Sequence, residues 1–398
     1  MRKSVFFAIL LIGVSLICTS CWDRKELREI ALCTAMSVEK TKNTYHLSFQ
    51  LINPGSVVQG QQGGTGGASN VTTYTSTGTT IEEAARKATQ QMSRKMLFSH
   101  MAIIVIDSSV AKEGIKSLLD IFERDSDMRM QTNVVIARDS PASQLLALST
   151  TMERIPAIQM TQQLIVAEQQ WGETHHIQID EVKRQLASDG KELTIGGMGI
   201  SGDEDKINKE SNDNIIPAST LQTKGIAVFN KDRLVGWLDQ ESAQGYLWTQ
   251  KLLRRTAIRL SCEDQNGYLM ISISRNKSDL QTIKIRNRYL LRVRVRAAGS
   301  VKEIGGCSNE ILQNRTLMKL EQQASRKIKN EIETTLKIAQ ELKLDIFGFG
   351  ASLDRTDRRL WKRVQKDWNE IFSNADTEVR VDMSIINTGL TVNQTRTK

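Results

Sequence analysis

The sequence predicts a mixed α/β (α+β) fold, with three sheet-and-helix domains behind an N-terminal signal segment and a long amphipathic helix packed on a sheet in the last domain. Strand-like and helix-like segments alternate from Val71 to Leu148, the order expected when helices pack on a sheet. From Leu317 to Leu342 an apolar stripe (Leu317, Leu320, Ala324, Ile328, Ile332, Leu336, Ala339, Leu342) recurs close to every 3.6 residues, which marks one buried helix face. Across 398 residues, 39% hydrophobic and 25% charged content supplies core for more than one domain. A polytopic membrane protein is excluded, because the one uninterrupted apolar stretch, Val5 to Cys18, is too short to span a bilayer as a helix. Five cysteines are too few for a disulfide-stapled scaffold. The net charge of +9 favours anionic partners without choosing between lipid headgroups and nucleic acid.

The first residues set the compartment. Arg2 and Lys3 precede the apolar run Val5–Ile17, and small residues Thr19 and Ser20 stand before Cys21. That is the layout of a secretory signal, residues 1–20, with a cysteine at the cleavage point. It resembles the bacterial lipobox, in which the cysteine thiol receives a diacylglyceryl group before cleavage, and Cys18 takes a slot usually filled by Leu. Two acyl chains on one residue meet the requirement for stable anchoring, at about 0.8 kcal/mol per buried methylene. Cleavage separates Cys18 from Cys21 and leaves Cys33, Cys262 and Cys307, an odd number. Cys33 and Cys262 lie in or at the end of apolar runs and read as small core residues, so no disulfide is expected.

Residues 21–29 read as a charged stalk, and 30–190 as an N-terminal α/β domain. Its elements are a hairpin (Ile30–Val38, Tyr45–Ile52), a Gly-rich loop at 54–69, an extended segment from Val71, a helix from Thr79 to about Leu97, strands Ala102–Ile106 and Asn133–Ala137, and helices Ile115–Arg124 and Ser143–Leu148. Polar sequence from Thr161 to Gly190 bridges to a small middle domain, 191–250, with a hairpin (Gly225–Phe229, Arg233–Leu238) and a helix from Gln240. The third domain, 251–398, has strands Ala257–Cys262, Tyr268–Ser274 and Thr282–Arg296, the long helix opening at Ser308, an amphipathic helix Leu360–Phe372, and a last strand from Val379 to Ile385.

Motifs for chemistry are few. Gly197-x-Gly199-x-x-Gly202 matches a dinucleotide fingerprint in form, but Asp203, Glu204 and Asp205 follow it and would repel a phosphate, so an interdomain loop is expected. His175 and His176 read as solvated side chains, no zinc spacing occurs, and neither a cofactor nor an enzyme activity is expected. The unusual stretch is Thr282–Arg296. Read as one strand, it puts Lys284, Arg286, Arg288, Arg292, Arg294 and Arg296 on one face and Ile283, Ile285, Tyr289, Leu291, Val293 and Val295 on the other. Such a row is a candidate contact for a partner or an anionic membrane. Alternatively it is a solvated face neutralised by Glu310, Glu321, Glu331 and Glu333 of the long helix. Nucleic acid does not suit an exported lipoprotein.

Four segments, in order along the mature chain, resemble the Ger(x)C lipoproteins, the C subunits of spore nutrient-germinant receptors. They are Cys21-Trp22-Asp23-Arg24-Lys25-Glu26-Leu27, Lys224–Phe229 with Leu234–Leu238, Asp345-Ile346-Phe347-Gly348-Phe349-Gly350, and Asn387-Thr388-Gly389-Leu390. The resemblance implies a non-catalytic, three-domain protein anchored to the outer face of the spore inner membrane. It also implies assembly with two integral membrane subunits, of A and B types, in a complex triggered by small nutrients. Only Cys21 carries over as a functional position, for lipid attachment, and whether this subunit itself binds a nutrient stays open. The competing expectation is a solute-binding lipoprotein that delivers a small ligand to a transporter.

Overall fold

The structure is a computed structural model that describes residues 29–52, 71–150, 152–153, 155–202, 217–250, 252–253, 255–262, 267–307 and 314–387. The expected lipid-bearing segment around Cys21, the Gly-rich loop and the last motif beyond Asn387 lie outside the described residues. Two mixed sheets organise the rest.

The larger sheet starts with an antiparallel meander, β1 (Ile30–Thr41), β2 (Thr44–Ile52) and β3 (Val71–Gly78). Helix α1 (Ile81–Ala88) follows, capped by the Thr80 hydroxyl, which accepts from Glu83 N at 3.1 Å. It is shorter than expected, because Lys95–Leu97 leaves the helix as β4 and pairs with Ile30–Leu32. Next come β5 (Ile103–Asp107), α2 (Ser108–Glu113), α3 (Lys116–Arg124), β6 (Asn133–Ala137) and α4 (Ala142–Ala147). The polar bridge holds two helices, α5 (Pro156–Gln170) and α6 (Ile179–Leu186), flanking the short β7 (Ile177–Gln178).

The middle residues do not form a sheet of their own. Strand β8 (Thr194–Gly202) pairs parallel with β6, and β9 (Ser219–Asn230) and β10 (Arg233–Leu238) close that side, giving the order β10-β9-β8-β6-β5-β1-β2-β3. Without β8, the apolar strand β6 would expose an unpaired edge. The glycine motif is therefore part of a strand, not a loop. A Cβ at Gly197 would meet the Trp237 ring at 2.6 Å, so the glycines let neighbouring chains approach closely.

Both faces of this sheet are covered, which is why β5 and β6 read as continuous apolar runs. Ile104 and Ile106 join side chains of α1, α2, α3 and α6 on one side. Ile103 and Val105 join α4 and α5 on the other.

The second sheet is covered on one face only. Helix α7 (Glu241–Gln250) leads to β11 (Ala257–Ser261), β12 (Tyr268–Ile285) and β13 (Arg288–Gly305). Then come the long helix α8 (Asn314–Glu341), the shorter α9 (Phe349–Thr356), α10 (Arg358–Val364) and α11 (Trp368–Asn374), and β14 (Asp376–Asn387), parallel to β13. Leu320, Ala324, Ile328, Ile332, Leu336 and Ala339 of α8 are buried against the inner face with Leu291, Val293 and Val295 of β13, as the stripe predicts. Side chains of α8 also serve β14: the Ser325 hydroxyl accepts from Met383 N at 3.1 Å and the Glu321 carboxylate accepts from Ile385 N at 2.7 Å.

The cysteine expectation is corrected. Cys262, just past β11, is bonded to Cys307, just past β13, across 6.1 Å between Cα atoms and 45 residues of sequence. Strand pairing through β12 brings these ends together, and spacing alone does not reveal it. Cys33 is free and fully buried, and burial pushes its thiol far above the ordinary range.

Candidate functional site

The cationic stretch is a hairpin rather than one strand. The chain reverses at Arg286-Asn287, with Arg286 at φ 53°, and the register pairs Ile285 with Arg288, Lys284 with Tyr289 and Ile283 with Leu290. Residues directly opposite in an antiparallel pair share a face, so the reversal changes which residues lie together. Arg288, Arg292, Arg294 and Arg296 share the outer face of β13, and Ile285 joins them. Lys284 lies on the other face beside Tyr289, its Nζ 5.9 Å from the ring centre, and Arg286 sits in the turn.

Among the described residues, acids opposite these cations come from the neighbouring strands and not from the long helix. Arg292 Nε lies 2.5 Å from Glu378 Oε2 on β14, and Arg380 pairs with the other oxygen of the same carboxylate. The Arg292 hydrogen bond, with help from Arg380, holds Glu378 below the usual carboxylate range. Asp279 stands opposite Arg294, and Asp382 opposite Arg296. The acids of α8 are on the covered side. Glu321 serves β14, Glu333 pairs with Lys329, and Glu331 is buried, accepting from Trp248 Nε1 at 2.8 Å. Burial pushes Glu331 up to about 7, against the opposing Trp248 hydrogen bond. Glu310 lies outside the described residues.

A second constellation, which the sequence did not single out as a site, joins the two sheets. Asp345, 1% exposed, accepts from Gly348 N (2.8 Å), Gly350 N (2.7 Å) and Trp368 Nε1 (3.0 Å), while its backbone oxygen accepts from Glu192 N (2.9 Å). Burial raises its pKa and the converging donors oppose that rise. Gly348 takes φ 88°, and a Cβ on Gly350 would lie 2.9 Å from Gly190 Cα, so the Asp345–Gly350 motif is a docking loop for the turn before β8. Ala351 N donates to Gly190 O at 2.8 Å.

Alongside, the Thr194 hydroxyl lies 2.9 Å from Tyr246 OH, and Thr256 Oγ1 donates to Trp171 O at 3.0 Å. The histidines belong here too, buried or half-buried rather than solvated as the sequence suggested. His175 is buried, with Nδ1 3.0 Å from Glu168 Oε1 and its ring edge-on to Tyr246. His176 is half-buried with Nε2 2.6 Å from Asn133 Oδ1, and burial lowers its pKa. Polar neighbours in sequence hid a polar cluster closed off by α7.

The second motif, Lys224–Leu238, is the β9–β10 hairpin. Arg138 stacks 4.5 Å from the Trp237 ring centre, donates to Lys224 O at 3.2 Å and pairs with Asp239, which ties the hairpin to the end of β6. An open groove of about 790 Å3 lies where α3 and α6 face Gln365, Lys366 and Asn369. Its charges interleave, with Lys116, Lys183, Lys231 and Lys366 against Asp120, Glu123, Asp189, Glu192 and Asp232, so it selects neither sign. Among the described residues there is no group of His, Cys, Asp or Glu able to hold a metal ion, and no helix long and apolar enough to cross a membrane.

The comparisons with known proteins assign the family. Residues 23–200 match the family model of the spore germination protein N-terminal domain, and residues 224–389 that of the spore germination B3/GerAC-like C-terminal domain. The chain belongs to this GerAC family of spore germination proteins, the germinant-receptor C-subunit family that its motif segments resemble.

Among its relatives is spore germination protein KC of Bacillus subtilis (strain 168), 28% identical over 98% of this chain and 97% of the relative. Spore germination protein B3 of the same organism is 20% identical over 98% of this chain and 99% of the relative. The crystal structure of the GerBC protein superimposes with a TM-score of 0.56 over 88% of this chain and 97% of that one, at 16% identity, which supports the fold.

Proposed function

We propose that this protein is the lipid-anchored, non-catalytic subunit of a nutrient germinant receptor. Cys21 carries the diacylglyceryl anchor on the exported face of the membrane, which in the spore is the outer face of the inner membrane. There the subunit assembles with two integral membrane subunits of A and B types and takes part in germination by contact. The observation that carries the reading is the match to both family domains in order along nearly the whole chain, behind a lipobox-like cysteine. A family of germination proteins, rather than an enzyme class, supports the non-catalytic part. The test is fractionation of the Cys21→Ala variant. The expected outcome is loss from detergent-free membranes with the fold retained by circular dichroism, whereas full membrane retention in an unacylated state contradicts the anchor.

The groove between α3, α6 and the α10–α11 region supports one second reading, a solute-binding lipoprotein for a small zwitterion. Calorimetry with amino acids on the purified protein separates the two, since the receptor-subunit reading needs no tight ligand here.

A further inference from the structure

The exposed end of the β12–β13 hairpin carries a cluster of cations. No acidic residue occurs between Asp279 and Glu303, while Lys284, Arg286 and Arg288 crowd the turn. Arg286 and Arg288 form no ion pair with any described residue. Ile285, directly opposite Arg288, is 52% exposed and so stands among these cations at the tip. The ribbon also runs past its neighbours. Helix α9 last bonds β12 where Thr282 Oγ1 donates to Phe349 O, and β14 begins opposite Leu290.

Distance narrows the six sequence-predicted cations to three. At about 3.4 Å per residue, Arg294 stands about 20 Å behind Arg288, well over two Debye lengths of about 8 Å. A surface touched by the turn therefore feels Lys284, Arg286 and Arg288, offset in part by Asp376 at the start of β14, which lines one hollow with Arg286 and Arg288, while Arg292 is already held by Glu378 and Arg294 and Arg296 face Asp279 and Asp382.

We propose that this hairpin end docks on anionic lipid headgroups, with Ile285 at the hydrocarbon boundary and Lys284, Arg286 and Arg288 on phosphates. A projecting ribbon with long cationic stems around one aliphatic residue suits a planar, deformable anionic surface, where the stems lie along the interface and the charges stay hydrated. It serves as a second attachment beside the lipid on Cys21, and so fixes which way the protein faces on the membrane. The inference rests on the anchoring reading above.

The test uses the acylated chain held in vesicles by its own anchor, with a fluorophore on Asn287→Cys and a lipid-borne quencher. Cys33 is buried and Cys262 and Cys307 are bonded, so the label goes to the new thiol. Phosphatidylglycerol vesicles should quench the probe, phosphatidylcholine vesicles should not, and high salt should reverse the effect. With about 1 kcal/mol per cation, the combined variant Lys284→Glu, Arg286→Glu, Arg288→Glu should lower the docked fraction relative to the free one by more than about 100-fold. A control probe on Lys42→Cys, in the β1–β2 turn, should stay unquenched.

Equal signals from the two lipids, or a signal unchanged by the charge reversal, overturn the proposal. Absence of quenching in vesicles combined with protection of the Asn287 probe in the assembled complex also overturns it, in favour of an acidic protein surface. If the protein leaves the vesicles altogether in flotation, the anchor reading falls first and takes this inference with it.

Discussion

The two sheets are built from similar elements and differ in how many faces they cover. The larger one buries both, so Ile103 to Ile106 are all fully buried and the strand offers nothing to a partner. The smaller one buries Leu291, Val293 and Val295 and leaves the alternate residues Arg288, Arg294 and Arg296 exposed. The first arrangement is stability, and the second leaves a face free for contact at little cost to the core. The Asp345 loop joins them, so the uncovered face is tied to the larger sheet.

The largest expected effect breaks that support. Asp345→Ala leaves Gly348 N, Gly350 N and Trp368 Nε1 buried without their acceptor, and should cost about 5 kcal/mol at about 1–3 kcal/mol per orphaned donor. Urea unfolding of the variant should then show separate transitions for the two sheets. Next, Cys262→Ser with Cys307→Ser opens a 45-residue loop and should cost about 4 kcal/mol by loop-closure entropy, visible as a lower denaturant midpoint under non-reducing conditions.

In the two-sided sheet, Ile104→Ala should cost about 3 kcal/mol. Glu331 gives a pH signature to the other sheet. Its folded pKa of about 7 lies above the ordinary glutamate value of 4.5, so the folded state holds the extra proton in between. Stability from this group is complete below about 4.5 and falls as pH rises toward 7; Glu331→Gln should flatten that slope and gain about 3 kcal/mol above pH 7. Smallest, Arg294→Ala on the uncovered face should shift stability by under about 0.5 kcal/mol. A loss of more than about 2 kcal/mol there would mean that the outer face is structural and would erase the contrast between the sheets.

Elements whose burial follows a simple period were legible in the sequence. The runs of β5 and β6, the stripe of α8 and the first hairpin needed only local pattern. The cationic hairpin was misassigned because Arg286-Asn287 lacks the Gly or Pro that usually marks a reversal, and because a two-residue turn shifts the alternation so that Lys284 and Arg288 end on opposite faces. The placement of β8 in the large sheet was hidden because two residue pairs, Ile136 with Gly197 and Ala137 with Met198, hold it to β6. The disulfide and the buried Glu168–His175 pair depend on long-range pairing and on helix packing, which composition does not encode. The family was legible from the four motif segments without any structure, since their signal is the residues themselves.

The central claim is that this protein works by assembling with membrane subunits. Affinity purification of the tagged protein from gently solubilised spore membranes, with mass spectrometry of what co-purifies, tests it most directly. The account predicts two multispanning partners recovered with the intact protein and depleted with Cys21→Ala. Recovery of the protein alone, under conditions that keep other membrane complexes together, would contradict it.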